Sequence, residues 1–417
     1  VRLVHLGLGS FFRAHQAWYT AHAPDAAGWG YAAFTGRSAG LAEALRAQRC
    51  RYTLVTRAAD EDQLEVIGSL SAVHAAADHE AWLRALAAPD LAAVTLTMTE
   101  AAYHPDGAVP ARLVAGFAAR RRADAGPVAL IPCDNLSANG PLAYRVVREL
   151  AERTDPGLAA WISESVAVVT TMVDRITPRT TPADVALVRA RAGFDDQCPV
   201  VTEPFSDWVL SGSFPAGRPQ WEQAGATFTA DITPFEERKL WLLNGGHSLL
   251  AYAGSIRGHD TVDQAVADET CRDWLEQWWD VASPHLNQPS VEITAYRAAL
   301  LGRFENPRIA HRLAQIAMDG SQKIAIRVPP VLRAERRAGR MPLGATRIIA
   351  AWICHLRGLG AQVNDAQADQ VVPLAAGADL TEAVRGVLSW LDGELAADRE
   401  LVTVIAAQVQ EIELDNL

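Results

Sequence analysis

Leu3-Val4-His5-Leu6-Gly7-Leu8-Gly9 stands near the start of the chain, and Phe12-Arg13-Ala14-His15-Gln16-Ala17-Trp18-Tyr19 follows it with helical spacing. An apolar run closed by glycines and succeeded by a helical period reads as strand, tight turn and helix. Gly7 and Gly9 let the backbone turn sharply and approach a pyrophosphate, whose charge is favoured by the amides at a helix start. Phe12 stands where the G-x-G-x-x-G pattern needs its third glycine. The turn alone therefore fits a plain strand-turn-helix as well as a dinucleotide site.

Outward from that turn, short apolar runs recur at Tyr31–Phe34, Tyr52–Val55, Leu91–Met98, Val128–Ile131 and Val166–Thr170. Most are separated by alanine-rich helical stretches such as Ala39–Gln48 and Ala81–Ala88. Strands alternating with helices predict an α/β domain with a parallel sheet covered on both faces. From about Thr233 the pattern becomes helical, with segments at Glu236–Ala253, Val262–Trp279, Ile309–Met318, Arg347–Arg357 and Leu380–Leu391. A chain of 417 residues exceeds one ordinary core. Two domains are expected, residues 1–230 and 231–417, parted in the Pro/Gly-bearing stretch Gly212–Pro234.

A dinucleotide site usually offers an acidic residue after its second strand to hold the ribose of NAD. Phe34-Thr35-Gly36-Arg37-Ser38 offers Arg37 instead. An arginine accommodates a 2′-phosphate, so NADP stays open beside NAD, as does a plain surface role for Arg37.

The net charge of −11, with Lys and Arg scattered, disfavours nucleic acid as a partner. The cluster Arg120-Arg121-Arg122 reads as a solvated helix end. Five widely spaced cysteines, odd in number, suit the reduced thiols of a cytoplasmic protein. No apolar run approaches the ~18 residues of a membrane span, and no leader pattern is visible.

Thr233-Pro234-Phe235-Glu236-Glu237-Arg238-Lys239-Leu240-Trp241-Leu242-Leu243-Asn244-Gly245-Gly246-His247 is the most informative stretch. Thr233 with Glu236 has capping-box spacing, and Pro234 suits a first helical position. On an α-helical wheel Glu236, Lys239, Asn244 and His247 share an arc of roughly 140° with Leu240 and Leu243. Burying such polar groups unpaired costs about 1–3 kcal/mol each. Gly245 and Gly246 cost about 1 kcal/mol apiece in a helix, tolerable where something must approach the backbone closely. One reading is structural: a snorkelling lysine, a capping glutamate and a satisfied core histidine. The other is chemical. Oxidising a secondary alcohol needs a base for the hydroxyl proton, which a partly buried lysine can supply, and amide donors for the oxygen, which asparagines can supply. No His/Cys/Asp cluster has metal-ligand spacing, so metal is not expected.

These residues, with Gly7-Leu8-Gly9-Ser10-Phe11-Phe12-Arg13-Ala14-His15-Gln16, Thr97-Met98-Thr99-Glu100, Cys133-Asp134-Asn135-Leu136, Val173-Asp174-Arg175-Ile176-Thr177-Pro178 and Asp319-Gly320-Ser321-Gln322-Lys323, occur in the order found in the mannitol dehydrogenase family. The chain resembles that family from residue 7 to residue 323. The resemblance implies a Rossmann-type doubly wound N-terminal domain and a mostly α-helical C-terminal domain. It also implies hydride transfer between a linear sugar alcohol or aldonate and its keto form, with NAD or NADP and no metal. Lys239 matches the general base, Asn135 and Asn244 the oxyanion pair, and Glu236 a proton-relaying carboxylate. Asp174, His247 and Lys323 match residues around the substrate. Gly7, Gly9, Phe11, Arg13, Arg37, Thr99 and Glu100 fall to the cofactor, whereas His15 is as readily structural.

Gln315 departs from the arginine often found in mannitol-oxidising members, and the segment from Gln315 to Lys323 followed by Arg327 looks closer to members acting on mannonate and fructuronate. Arg327 is the candidate for a substrate carboxylate, which arginine binds bidentately. Mannonate/fructuronate and mannitol/fructose are the two substrate pairs. A monomer or small homo-oligomer is expected. A non-catalytic dinucleotide-binding sensor on the same fold is the rival reading.

Overall fold

All positions of Leu3–Leu6 are buried, as in a strand covered on both faces. In the computed structural model, which describes residues 1–36, 39–98 and 102–415, this segment is β1. In chain order there follow β2 (Tyr31–Phe34), β3 (Tyr52–Arg57), β4 (Asp62–Ile67), β5 (Leu70–His74), β6 (Ala93–Leu96), β7 (Val128–Pro132), β8 (Val166–Val168), β9 (Thr170–Asp174), β10 (Val200–Thr202), β11 (Asp207–Ser211) and β12 (Thr227–Phe228). The chain forms two compact units, Val1–Ile232 and Thr233–Leu417.

The first unit is built on a six-stranded parallel sheet in the order β5-β2-β1-β6-β7-β8. Counted along the sheet's own strands this is the 3-2-1-4-5-6 order of a doubly wound dinucleotide-binding fold, which reverses between β1 and β6. Alternate residues feed opposite faces. Leu3, Tyr31, Ala33, Ala129 and Ile131 enter one buried cluster, and Val4, Leu6, Ala32, Phe34, Val94 and Leu130 enter another. Two apolar faces need two covering layers, which is why the strand sequences are continuously apolar.

Three expectations need correction here. β3 does not join the large sheet; it pairs antiparallel with β4 and parallel with β10. The third strand of the large sheet is β5, which buries only Leu70 and Val73 and was not anticipated. The run Val166–Thr170 divides, because β8 ends the large sheet while β9 turns away to pair antiparallel with β11. Arg120 is a further correction. It is fully buried rather than a solvated helix end, and donates to the carbonyls of Leu86, Ala88, Leu91, Ala125, Gly126 and Pro127. A planar fork of N–H donors satisfied in this way ties the loops flanking β6 and β7 together.

The second unit is helical. Its first helix runs from Thr233 to Ile256 but contains a π-helical turn, Lys239–Gly245, between α-helical Thr233–Arg238 and Gly246–Ile256. The expected helix Val262–Trp279 is two, Val262–Ala267 and Glu269–Ala282, because Asp268 caps the second by accepting from the Cys271 amide. The expected Ile309–Met318 shortens to Leu313–Ala317 after a left-handed Ala310. Among the described residues no helix is long and apolar enough to cross a membrane.

Candidate active site

Gly7 ends β1 with φ +109°. A Cβ there would lie 2.1 Å from the Thr97 carbonyl oxygen at the end of β6, so both conformation and packing require glycine. Gly9 differs: a Cβ would meet only Gly7 O at 3.5 Å. Packing does not demand its bareness, which leaves an open approach to the backbone at the point where the strand order reverses.

The turn is fastened from below. The Thr97 hydroxyl donates to Gly7 O at 2.9 Å and meets His5 Nε2 at 3.0 Å, while His5 Nδ1 meets the Thr95 hydroxyl at 2.8 Å. Burial lowers the His5 pKa to about 3, so it is neutral and accepts or donates by tautomer. Arg13 is the next residue of the cofactor set expected from sequence. Its guanidinium is buried and donates to Gly9 O at 3.1 Å and Cys198 O at 2.5 Å. It shapes the turn by holding these two backbone carbonyls. Phe11 is partly exposed and stacks on His15, whose Nε2 meets Asp207 O at 3.0 Å. Arg37, Thr99 and Glu100 lie outside the described residues.

Asn135 is exposed in the loop after β7. The residues around it hold that loop. Asp134 accepts from the Met98 amide and from the Tyr103 hydroxyl, linking the segments that follow β6 and β7. Burial pushes the Asp134 carboxyl up to about 7, against the lowering effect of the Met98 amide. Asn139 donates to Asp134 O at 3.1 Å and Thr171 O at 2.9 Å and accepts from the Thr171 amide at 3.0 Å. Asp134 and Asn139, both buried, bracket Asn135 in sequence but had no assigned role; two polar residues beside the end of a continuously apolar strand were the signal. Asp174 is buried at the end of β9.

In the second unit Glu236 lies in the first helical turn, partly exposed. Lys239 is buried, Asn244 partly so, and the two begin and nearly end the π turn. A π turn bonds i to i+5, so Asn244 sits one hydrogen-bonded turn on from Lys239. This alters the α-helical wheel on which the four polar residues were first grouped. π turns occur disproportionately at functional sites.

His247 is buried, packs against Phe304 at 4.8 Å and His311 at 5.2 Å, and its Nε2 has no hydrogen-bond partner among the described residues. Desolvation first, then His311, Arg303, Arg327 and Lys323, hold its pKa well below 6.5. Arg303 and His311 were not singled out from sequence. Lys323 Nζ donates to Met318 O at 2.6 Å and Ile316 O at 3.3 Å, and desolvation lowers its pKa. Arg327 Nη1 donates to Asn244 O at 3.0 Å and the Ser248 hydroxyl at 2.8 Å. Among the described residues no group of three or more His, Cys, Asp or Glu could hold a metal ion.

Known proteins share this organisation. Residues 1–223 match the mannitol dehydrogenase Rossmann domain and residues 231–413 the mannitol dehydrogenase C-terminal domain. The chain is 34% identical to D-mannonate oxidoreductase of Escherichia coli K12, over 99% of this chain and 93% of that protein. It is 35% identical to D-arabinitol 4-dehydrogenase of Ralstonia nicotianae, over 97% and 95%. Among solved structures, Pseudomonas fluorescens mannitol 2-dehydrogenase in ternary complex with NAD and D-mannitol is 30% identical with a TM-score of 0.82, over 99% and 92%. A substrate-free D-sorbitol dehydrogenase gives a TM-score of 0.92 at 28% identity, over 100% and 94%.

Proposed function

Because this chain belongs to the mannitol dehydrogenase family, we propose that it is an NAD-dependent secondary-alcohol dehydrogenase acting between a linear sugar acid or sugar alcohol and its keto form. The residues present fit the cofactor. The bare Gly9 backbone, the Gly7 turn and the switch point between β1 and β6 offer a pyrophosphate its usual seat. Gly7, Gly9 and Phe11 would hold it, with Arg37, Thr99 and Glu100 assigned to the same task and Arg13 supporting the turn. When bound, NAD supplies the hydride acceptor.

The observation that carries the reading is the π turn that spaces Lys239 and Asn244 by one hydrogen-bonded turn. In oxidation Lys239 takes the proton of the reacting hydroxyl, and Asn135 and Asn244 donate to the oxygen as charge develops on it. Glu236 passes the proton on to solvent. In reduction the protonated lysine acts as the acid. Asp174, His247 and Lys323 bind substrate hydroxyls. Arg303, Arg327 and Lys323 act on His247, while Asp319 and Asp365 act on Lys323 in the opposite sense; these are the charges a sugar acid would meet at this end of the second unit.

The test is to follow nicotinamide absorbance with fructuronate and with fructose, each with NADH and NADPH. Turnover of fructuronate with NADH supports the sugar-acid assignment, and turnover of fructose alone assigns the polyol pair. Nucleotide binding without turnover of any keto sugar or keto acid would favour the sensor.

A further inference from the structure

We propose that Trp278 and Trp279 are positioning residues: their indole N–H groups hold the π turn in the register that presents Lys239 and Asn244. The inference rests on Lys239 being the acid/base of the reaction proposed above. An uninterrupted α-helix would bond i to i+4 throughout, so the extra residue of a π turn persists only where its surroundings hold it. Here the surroundings are explicit. Trp278 Nε1 donates to Trp241 O at 2.8 Å, and Trp279 Nε1 donates to Leu242 O at 2.9 Å. Adjacent indoles on the helix Glu269–Ala282 thus reach adjacent carbonyls inside the π turn, and both rings are fully buried. Arg327 takes a third carbonyl, that of Asn244.

The glycines point the same way. A Cβ on Gly245 would lie 2.7 Å from Trp278 Cζ2, and one on Gly246 would lie 2.9 Å from Leu275 Cδ1 and 3.3 Å from Trp279 Nε1. The close approach for which the helix accepts two glycines is therefore that of the indoles. A buried Trp N–H needs an acceptor in any core. What sets these apart is that both acceptors lie between Lys239 and Asn244, so moving the indoles moves the register of the two reacting groups.

The test uses the full chain with Trp278→Phe, Trp279→Phe and the double variant, which keep a ring and delete the N–H. Gly245→Ala is an independent perturbation that crowds Trp278. Three quantities are measured: the unfolding temperature, kcat with KM, and the pH midpoint at which Lys239 is labelled by an amine-selective acylating reagent without substrate. The expected result is a displaced labelling midpoint and a kcat about 10- to 100-fold lower, the cost of a small misplacement, with the KM for nucleotide unchanged. A wild-type midpoint and wild-type kcat, with only the unfolding temperature lowered, would overturn the proposal. Labelling needs no turnover, so an enzyme inactive on every sugar tried would count against the proposed reaction while the midpoint still decides the role of the indoles. If the double variant does not fold, the single variants and Gly245→Ala give the same readout.

Discussion

Arg327 Nη1 donates to the backbone carbonyl of Asn244 at 3.0 Å and to the Ser248 hydroxyl at 2.8 Å. The arginine marked in sequence as a carboxylate ligand is thus tied to the backbone of a residue proposed to hold the reacting oxygen. Lysine replaces the rigid guanidinium plane, which fixes Nη1 between the two acceptors, with a shorter, flexible stem ending in one ammonium. Arg327→Lys is expected to lower kcat/KM about 10- to 100-fold for sugar acid and polyol alike. Steady-state kinetics on both substrates checks this, since a loss confined to the sugar acid would return Arg327 to direct carboxylate binding.

The two glycines of the first turn separate folding from cofactor binding. Gly7→Ala drives a Cβ to 2.1 Å from Thr97 O at φ +109° and should destabilise the chain by about 1–3 kcal/mol or more in denaturant unfolding. Gly9→Ala meets nothing nearer than 3.5 Å. Its stability should stay within about 0.5 kcal/mol of wild type while the Kd for NAD rises. Calorimetric titration together with unfolding distinguishes the two.

Asp134 sets a slope of stability against pH. Its carboxyl is raised from 3.8 to about 7 by burial, so over that window the folded chain keeps a proton that the unfolded chain has lost. Stability from this group is present at low pH and is lost as pH rises through about 7. Asp134→Asn removes the slope, so its unfolding temperature should gain on wild type as pH rises from 3.8 to about 7. Parallel curves for the two proteins would contradict this.

His247 works in the opposite sense. Its pKa is held well below 6.5, so below 6.5 the unfolded chain takes a proton that the folded chain refuses, and stability falls as the solution is acidified. His311 is lowered as well and shares the slope. His247→Gln should flatten the acid side of the unfolding-temperature profile in part, with His311 supplying the remainder.

How much was legible depends on what each residue does locally. The β1 strand and the Gly7 turn were readable because an apolar run and a left-handed glycine are both local. β5 was missed because Leu70-Ser71-Ala72-Val73-His74 is short and half polar, and only its pairing with β2 makes it the third strand of the sheet. The π turn could not be read, since one extra residue in a helix changes no composition, only the spacing of the residues after it. The approach to Gly245 and Gly246 was legible as a close contact, but that it comes from Trp278 and Trp279 depends on a partner more than thirty residues away. Arg120 looked like its neighbours Arg121 and Arg122 because charge patterning is blind to the six carbonyls that tertiary structure brings around it.

The central claim is that Lys239 is the proton acceptor in a hydride-transfer reaction. Its most direct test is the pH dependence of mannonate and mannitol oxidation with NAD, in wild type and in Lys239→Ala. The account predicts that wild-type kcat/KM climbs to a plateau as the amine loses its proton. The variant should run about 10²- to 10⁴-fold slower, without that limb and with unchanged affinity for NAD. A Lys239→Ala enzyme that turns over at the wild-type rate with the wild-type pH profile would contradict it.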